Sequence, residues 1–197
     1  MVRHCTLTPG SNFSQKKGFD EFRPYPVPGV GSFCLELTME KKIVSNDELK
    51  LICDNARKNN QKIVFTNGCF DLLHVGHIRY LRKASSLGDI LVVGINSNSS
   101  VTLIKGPKRP LVDESARAEI VSSLYCVDYV TLFNEPDPLN LIEIVRPDVL
   151  VKGSDWPESK IVGADLVKRH GGKVVRIELT PGVSTSKIIE TITDRYC

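Results

Sequence analysis

Long apolar runs are missing from this 197-residue chain: no stretch approaches the roughly 20 residues that span a bilayer. The start, Met1-Val2-Arg3-His4-Cys5, also lacks the apolar segment of a secretory leader. Charge of one sign is equally scarce. With 26 Lys and Arg against 23 Asp and Glu, the net charge of +3 is too small to make nucleic acid or an anionic membrane the main partner. None of the six cysteines stands in a Cys-x-x-Cys pair, so a zinc knuckle is not expected, and free thiols in a cytoplasmic setting are. What remains is a 41% hydrophobic chain of a length that builds one core without staples.

Residues 1–38 differ from the rest. They hold Pro9, Pro24, Pro26 and Pro28 together with Gly10, Gly18, Gly29 and Gly31, and show neither helical nor strand periodicity. The expected organisation is therefore an irregular extension over 1–38 and a folded domain over 39–197. Two readings of the extension stand: a translation start placed too early, since Met39-Glu40-Lys41-Lys42 would serve as one, or an arm that clasps a neighbouring subunit through Phe13, Phe19, Phe22, Tyr25 and Phe33.

From Ser45 onward, Ser45-Asn46-Asp47-Glu48 reads as a capping box, and Leu49, Ile52, Cys53 and Ala56 give its helix one apolar face. Strands are then expected near 62–66, 90–96, 128–133, 148–151 and 173–178. Helices are expected near 77–87, 114–125, 138–145, 160–170 and 185–195. Such alternation predicts an α/β fold, a Rossmann-like five-stranded parallel sheet with helices on both faces, whose ligands sit beyond the carboxyl ends of the strands.

The polar clusters follow strands. Thr66-Asn67-Gly68-Cys69-Phe70-Asp71 leaves the first strand and leads through His74 and Gly76 to His77, at the start of the helical pattern Ile78, Leu81, Ala84 and Leu87. A helix N-terminus presents free N–H groups and a positive dipole end, which suits an anion, and the two histidines are close enough in sequence to point at it together. A zinc pair would need a third ligand nearby, and none is apparent. Cys69 reads as a packing residue. Asn96-Ser97-Asn98-Ser99-Ser100 follows the second strand, with the basic loop Lys105-Gly106-Pro107-Lys108-Arg109-Pro110 after it. Two prolines lower the entropic cost of holding those cations around a triphosphate. Arg117 is either ordinary surface or a phosphate contact. Lys152-Gly153-Ser154-Asp155-Trp156 suits contact with a base or sugar, although Trp156 serves equally well as packing. Ser184-Thr185-Ser186 precedes another helix, and three hydroxyls exceed what capping alone requires.

The segment Gly68-x-Phe70-Asp71-x-x-His74-x-Gly76-His77 resembles the signature of the nucleotidyltransferase superfamily that includes cytidylyltransferases and small adenylyltransferases. Further segments extend the resemblance over about 45–195. They are Lys105-Gly106 with Arg109-Pro110, Val127-Asp128-Tyr129-Val130, the run from Arg146 to Asp155, Ile161-Val162-Gly163, Gly171-Gly172 and Ser184 to Ile189. These look like the adenylyltransferases that make ADP-heptose, in their stand-alone form. The resemblance implies a nucleotidyltransferase-type fold and transfer of AMP from ATP, with Mg²⁺, to D-glycero-β-D-manno-heptose 1-phosphate. Pyrophosphate leaves, and the product serves lipopolysaccharide core or another surface heptose glycan. It also implies a homodimer. The catalytic residues expected are His74, His77 and Lys105. Nucleotide contacts are expected from Thr66, Asn67, Gly68, Phe70, Asp71, Gly76, Arg117, Lys152, Gly153, Asp155, Ser184, Thr185 and Ser186, with no metal-ligating side chains.

One departure is Asn98, where related sequences commonly carry aspartate after Asn-Ser; a metal or sugar contact made by that carboxylate would be weaker here. Two rival functions are a cytidylyltransferase for glycerol 3-phosphate or a similar alcohol phosphate, and a nucleotide-binding regulatory module without turnover.

Overall fold

A computed structural model describes residues 42–196, so the extension over 1–38 and both readings of it lie outside the described residues. Five strands form one parallel sheet: β1 Ile63–Gly68, β2 Ile90–Asn96, β3 Tyr129–Phe133, β4 Val149–Gly153 and β5 Lys173–Ile177, in the order β3-β2-β1-β4-β5. Register is set by pairs such as Val64 with both Leu91 and Val149. At the amino ends, Asp148 accepts the Ile63 N–H at 2.7 Å, Asp128 accepts the Leu91 N–H at 2.7 Å and Asp89 accepts the Lys62 N–H at 2.9 Å. Backbone donors with no ladder partner at the start of a strand are thus satisfied by the neighbouring strand's aspartate.

Seven α-helices are described: α1 Asn46–Lys58, α2 Val75–Ser85, α3 Asn98–Lys105, α4 Glu114–Ser122, α5 Leu139–Val145, α6 Ala164–Arg169 and α7 Thr185–Tyr196. The capping box of α1 forms as expected: Ser45 Oγ accepts the Glu48 N–H and Glu48 Oε2 accepts the Ser45 N–H. Because side chains alternate across a strand, β1 feeds two cores. Ile63 and Phe65 pack with Leu49 and Cys53 of α1 and with Leu141 and Ile142 of α5, whereas Val64 packs with Leu81 of α2 and Val121 of α4. All of these are almost wholly buried, and the sheet is covered on both faces as its continuous apolar strands require.

Three expectations change. The helix expected from residue 77 begins at Val75, making His74 its N-cap residue. The helix expected over 160–170 is divided into a single 3₁₀ turn, Glu158–Lys160, and the shorter α6. Gly163 between them has φ 82°, and a Cβ there would meet Ile142 Cδ1 at 2.4 Å, so close packing onto α5 interrupts the helix. Helix α3 has no counterpart among the expected helices. Its sequence is rich in hydroxyl and β-branched residues, and only Ser100 and Val101 are buried, so it carries no apolar stripe for periodicity to reveal. Its start rests on Ser97, whose Oγ accepts the Ser100 N–H.

The carboxyl ends of all five strands open onto the same edge of the sheet. Its centre is the boundary between β1 and β4, where the chain order reverses direction across the sheet, the place at which such sheets form a crevice.

Candidate active site

A cleft of about 540 Å³ lies along that edge. At its base, β1 turns sharply: Phe70 has φ 46°, and its ring folds back under the loop into the core. Gly68 is needed here because a Cβ would approach that ring at 3.1 Å. Gly76 meets the same demand in the first turn of α2, since a Cβ there would stand 3.0 Å from the His74 ring.

His74 and His77 consequently lie stacked over the first turn of α2, ring centroids 3.9 Å apart and 21° from parallel. Phe70 backs His77 at 5.4 Å. Burial, and secondarily the charge of His74, pushes His77 down to about 4, and burial also lowers His74. Both shifts favour the neutral imidazole in the unliganded protein. Nδ1 of His74 is buried with no hydrogen-bond partner among the described residues.

On one side of the histidines stand β4, β5 and α7. Lys152 at the end of β4 donates from Nζ to Asn67 Oδ1 at the end of β1, bridging the β1–β4 boundary. Burial brings its ammonium down to about 8 against the opposing pull of Asp155. Gly153, Asp155, half-exposed Trp156 and Leu179 continue this wall. The three hydroxyls before and within α7 divide their work. Ser184 Oγ accepts the Lys187 N–H at 3.1 Å, Thr185 Oγ1 donates to Leu72 O at 3.2 Å and ties α7 to the histidine loop, and Ser186 lines the cleft.

On the other side the basic loop approaches. Lys105 and Arg109 line the cleft, and Asp71 holds the loop in place. Its fully buried carboxylate pairs with Arg109 Nε and accepts the N–H groups of Leu111 and Val112 at 2.9 Å each. Burial pushes the Asp71 carboxyl up, but those donors outweigh it and leave it below the usual carboxylate range. Asp71 is thus a strap between the histidine loop and the basic loop.

The expected residues sort clearly. Asn67, Gly68, Phe70, Asp71, His74, Gly76, His77, Lys105, Lys152, Gly153, Asp155, Ser184, Thr185 and Ser186 all line the cleft. Thr66 and Arg117 do not. Thr66 is buried and shares a 2.7 Å hydrogen bond with the Tyr80 hydroxyl. Arg117 is neither surface nor phosphate contact: it is fully buried, donating to Cys69 O at 2.6 Å, Val112 O at 2.9 Å and Asn98 Oδ1 at 3.0 Å. The reason is geometric, because the apolar face of α4 turns Arg117 inward beneath the two loops, where three acceptors compensate its burial.

Asn98 is corrected likewise. Its amide accepts from Arg117 and donates to Asp113 Oδ2 at 2.7 Å, away from the cleft. An aspartate there would bear on that buried network rather than on a bound sugar or metal. Cys69 lines the cleft, but burial raises its thiol pKa, consistent with packing rather than nucleophilic use.

Several cleft residues lie outside the sequence expectation. Tyr80 is reached only because α2 starts early and lies over β1. Asp137 comes from the loop after β3, and its one sequence signal is its place after a strand; Asn96, the last residue of β2, belongs to the polar cluster noted in the sequence.

Residues 65–191 match the family described as Cytidylyltransferase-like. The chain is 51% identical over 160 residues to the bifunctional protein HldE of Syntrophotalea carbinolica, covering 81% of this chain and 33% of that protein. It is likewise 51% identical over 156 residues to the bifunctional protein HldE of Campylobacter jejuni, covering 79% of this chain and 32% of that one. It thus spans about a third of the length of these relatives. Among solved structures, the lipopolysaccharide core biosynthesis protein of Thermoplasma volcanium is similar with TM-score 0.51 and 31% identity, over 61% of this chain and 97% of that one. The pantoate-beta-alanine ligase of Francisella tularensis shares the fold, with TM-score 0.53 and 19% identity over 77% of this chain and 76% of the other. With the family match covering the histidine loop, the cleft and most of α7, the chain belongs to the cytidylyltransferase-like family and is a nucleotidyltransferase enzyme.

Proposed function

We propose that the chain is an adenylyltransferase that transfers AMP from ATP to D-glycero-β-D-manno-heptose 1-phosphate, yielding ADP-heptose and pyrophosphate for lipopolysaccharide core or another surface heptose glycan. The observation that carries the chemistry is the stacked pair His74 and His77 at the start of α2, facing the same cleft as Ser186 and Lys105. The heptose assignment draws on the similarity to the HldE proteins and to a lipopolysaccharide core biosynthesis protein.

A sugar 1-phosphate is ionised near neutral pH, so its oxygen attacks the α-phosphorus of ATP without a general base. The bond from that phosphorus to the bridging oxygen breaks, and the electron pair leaves with pyrophosphate. Catalysis is then alignment plus neutralisation of developing charge. His74 and His77 donate to α- and β-phosphate oxygens over the helix N-terminus. Ser184, Thr185 and Ser186 complete the phosphate cradle at α7, and Lys105 meets the β- and γ-phosphates or the incoming sugar phosphate. Lys152, Gly153 and Asp155 lie against the nucleotide.

Mg²⁺ fits this donor set. Among the described residues no group of three His, Cys, Asp or Glu is arranged to hold a metal ion, and Mg²⁺ commonly binds through one carboxylate, water and substrate phosphates. The ion would bind mainly to triphosphate oxygens and water, with Asp155 the carboxylate on the nucleotide side that would help hold it, and it would supply charge neutralisation on the phosphates. Cytoplasmic residence and a homodimer belong to the same proposal; no helix among the described residues is long and apolar enough to cross a membrane.

The test is a pyrophosphate-release screen crossing ATP, CTP, GTP and UTP with a panel of sugar and polyol phosphates. ATP with heptose 1-phosphate is expected to give the highest kcat/KM. CTP with glycerol 3-phosphate performing at least as well would replace the substrate assignment, and ATP binding without pyrophosphate release under any acceptor would replace turnover with a regulatory role.

A further inference from the structure

The cleft has a second wall, across β1 from Lys152. Asn96 closes β2, and the loop 134–138 follows β3, so both lie on the far side of β1 from β4 and β5. This wall is built rigidly. Asn96 is 3% exposed, and its Nδ2 donates to Ser100 Oγ at 3.0 Å; Ser100 Oγ donates in turn to Glu135 O at 2.8 Å, and Ser97 N donates to Phe133 O at 2.9 Å. Pro136 and Pro138 flank Asp137, whose Oδ1 accepts the Leu139 N–H at 3.0 Å. The loop between β3 and α5 is therefore tied to the turn between β2 and α3.

Two acceptor atoms remain on this wall without a hydrogen-bond partner among the described residues: Oδ1 of Asn96 and Oδ2 of Asp137. Both residues line the cleft. Neither atom suits a phosphate, because an amide oxygen and a carboxylate both repel an anion. Hydroxyl groups are the donors that fit, and a carboxylate beside an amide oxygen suits a polyol. The cations Lys105 and Arg109, which follow β2 in the chain, line the same cleft, so an acceptor with its phosphate toward the basic loop would have its hydroxyls free for Asn96 and Asp137.

We propose that Asn96 and Asp137 bind the hydroxyl groups of the acceptor sugar and thereby determine which sugar phosphate the enzyme takes. This rests on the sugar-phosphate reading given above, and it concerns the acceptor wall alone.

The test uses the full chain and compares it with Asp137→Ser, where serine keeps a short oxygen for the Leu139 N–H, and with Asn96→Ala. Equilibrium titration measures binding of heptose 1-phosphate, methyl phosphate and ATP, each separately. Both variants are expected to bind heptose 1-phosphate roughly 10- to 100-fold more weakly, as loss of a hydrogen bond to a charged or buried group entails. Their binding of methyl phosphate and ATP is expected to match the parent chain. Weaker ATP binding with heptose 1-phosphate unaffected would overturn the assignment, as would no change in either variant. If the parent chain binds another sugar phosphate in place of heptose 1-phosphate, the heptose reading fails, and the same split measured with that sugar phosphate still supports this wall as the selector. An acceptor bearing no hydroxyls would overturn it.

Discussion

The backbone N–H of His74 donates to Nδ1 of His77 at 3.4 Å. With Nδ1 accepting, a neutral His77 carries its proton on Nε2, which makes that nitrogen a donor without any positive charge on the ring. The histidine pair is thus held as a preorganised donor set by the helix cap itself. Anionic phosphates arriving beside the rings stabilise their protonated forms and raise both pKa values.

His77 in the free protein is accordingly expected to titrate near 4, well below its ordinary 6.5, and to shift upward when ATP is added. A proton NMR titration of the imidazole signals checks both values. The sign for stability follows from the same shift. Above about 6.5 both folded and unfolded states hold His77 neutral, and as pH falls toward 4 the unfolded chain binds a proton the folded one refuses, so stability drops across that window. His74→Ala and His77→Ala should each lower kcat by roughly 100- to 1,000-fold with little loss of Tm.

Arg117 and Lys105 are expected to separate stability from catalysis. Arg117→Met leaves two backbone carbonyls and the Asn98 amide oxygen without their donor beneath the histidine loop. A loss of about 3 kcal/mol in urea unfolding is expected, the scale seen when one partner of a buried charged network is removed. Lys105→Ala, at an exposed position on the cleft, should leave the unfolding midpoint in place and reduce kcat/KM.

Lys152 should impose an alkaline limit on nucleotide binding. Its ammonium, lowered to about 8 by burial, loses its proton within the range of ordinary buffers. ATP affinity is expected to fall as pH rises through 8 in the parent chain, and Lys152→Met should bind ATP weakly and flatten that dependence. Binding isotherms on either side of that value decide the matter. Lys152→Arg, charged throughout, distinguishes lost charge from lost shape.

A chain beginning at Met39 is expected to fold and keep its turnover. The contacts that anchor the domain's start come after it: Lys42 Nζ donates to Val127 O at 2.9 Å, and Val44 N donates to Val130 O at 2.9 Å. Circular dichroism and the pyrophosphate assay measure the outcome, and dissociation into inactive monomers would establish the clasping arm instead.

Much of this protein is legible in one dimension because the relevant physics is local or periodic. The capping box at Ser45, the doubly buried strands Ile90 to Val93 and Val149 to Val151, and the spacing of Gly68, Phe70, Asp71, His74, Gly76 and His77 are patterns that need no knowledge of distant neighbours. Parallel strands and intervening helices place every post-strand segment on one edge, so the cleft-lining position of most expected residues follows from topology alone. Only the tertiary structure decides where a charged side chain turns when several directions are open. Arg117 looks like a ligand contact because it stands near the right motifs, yet it is spent on the loops themselves, in hydrogen bonds to carbonyls up to 48 residues away, while Asp71 lines the cleft and also ties the two loops together. Asn98 invites a ligand role because it stands where related sequences commonly carry aspartate, and α3 escapes detection because it lacks an apolar stripe. Asn96 and Asp137 come to line one cleft because β2 and β3 lie side by side, an adjacency that arises from sheet pairing and has no counterpart in residue spacing.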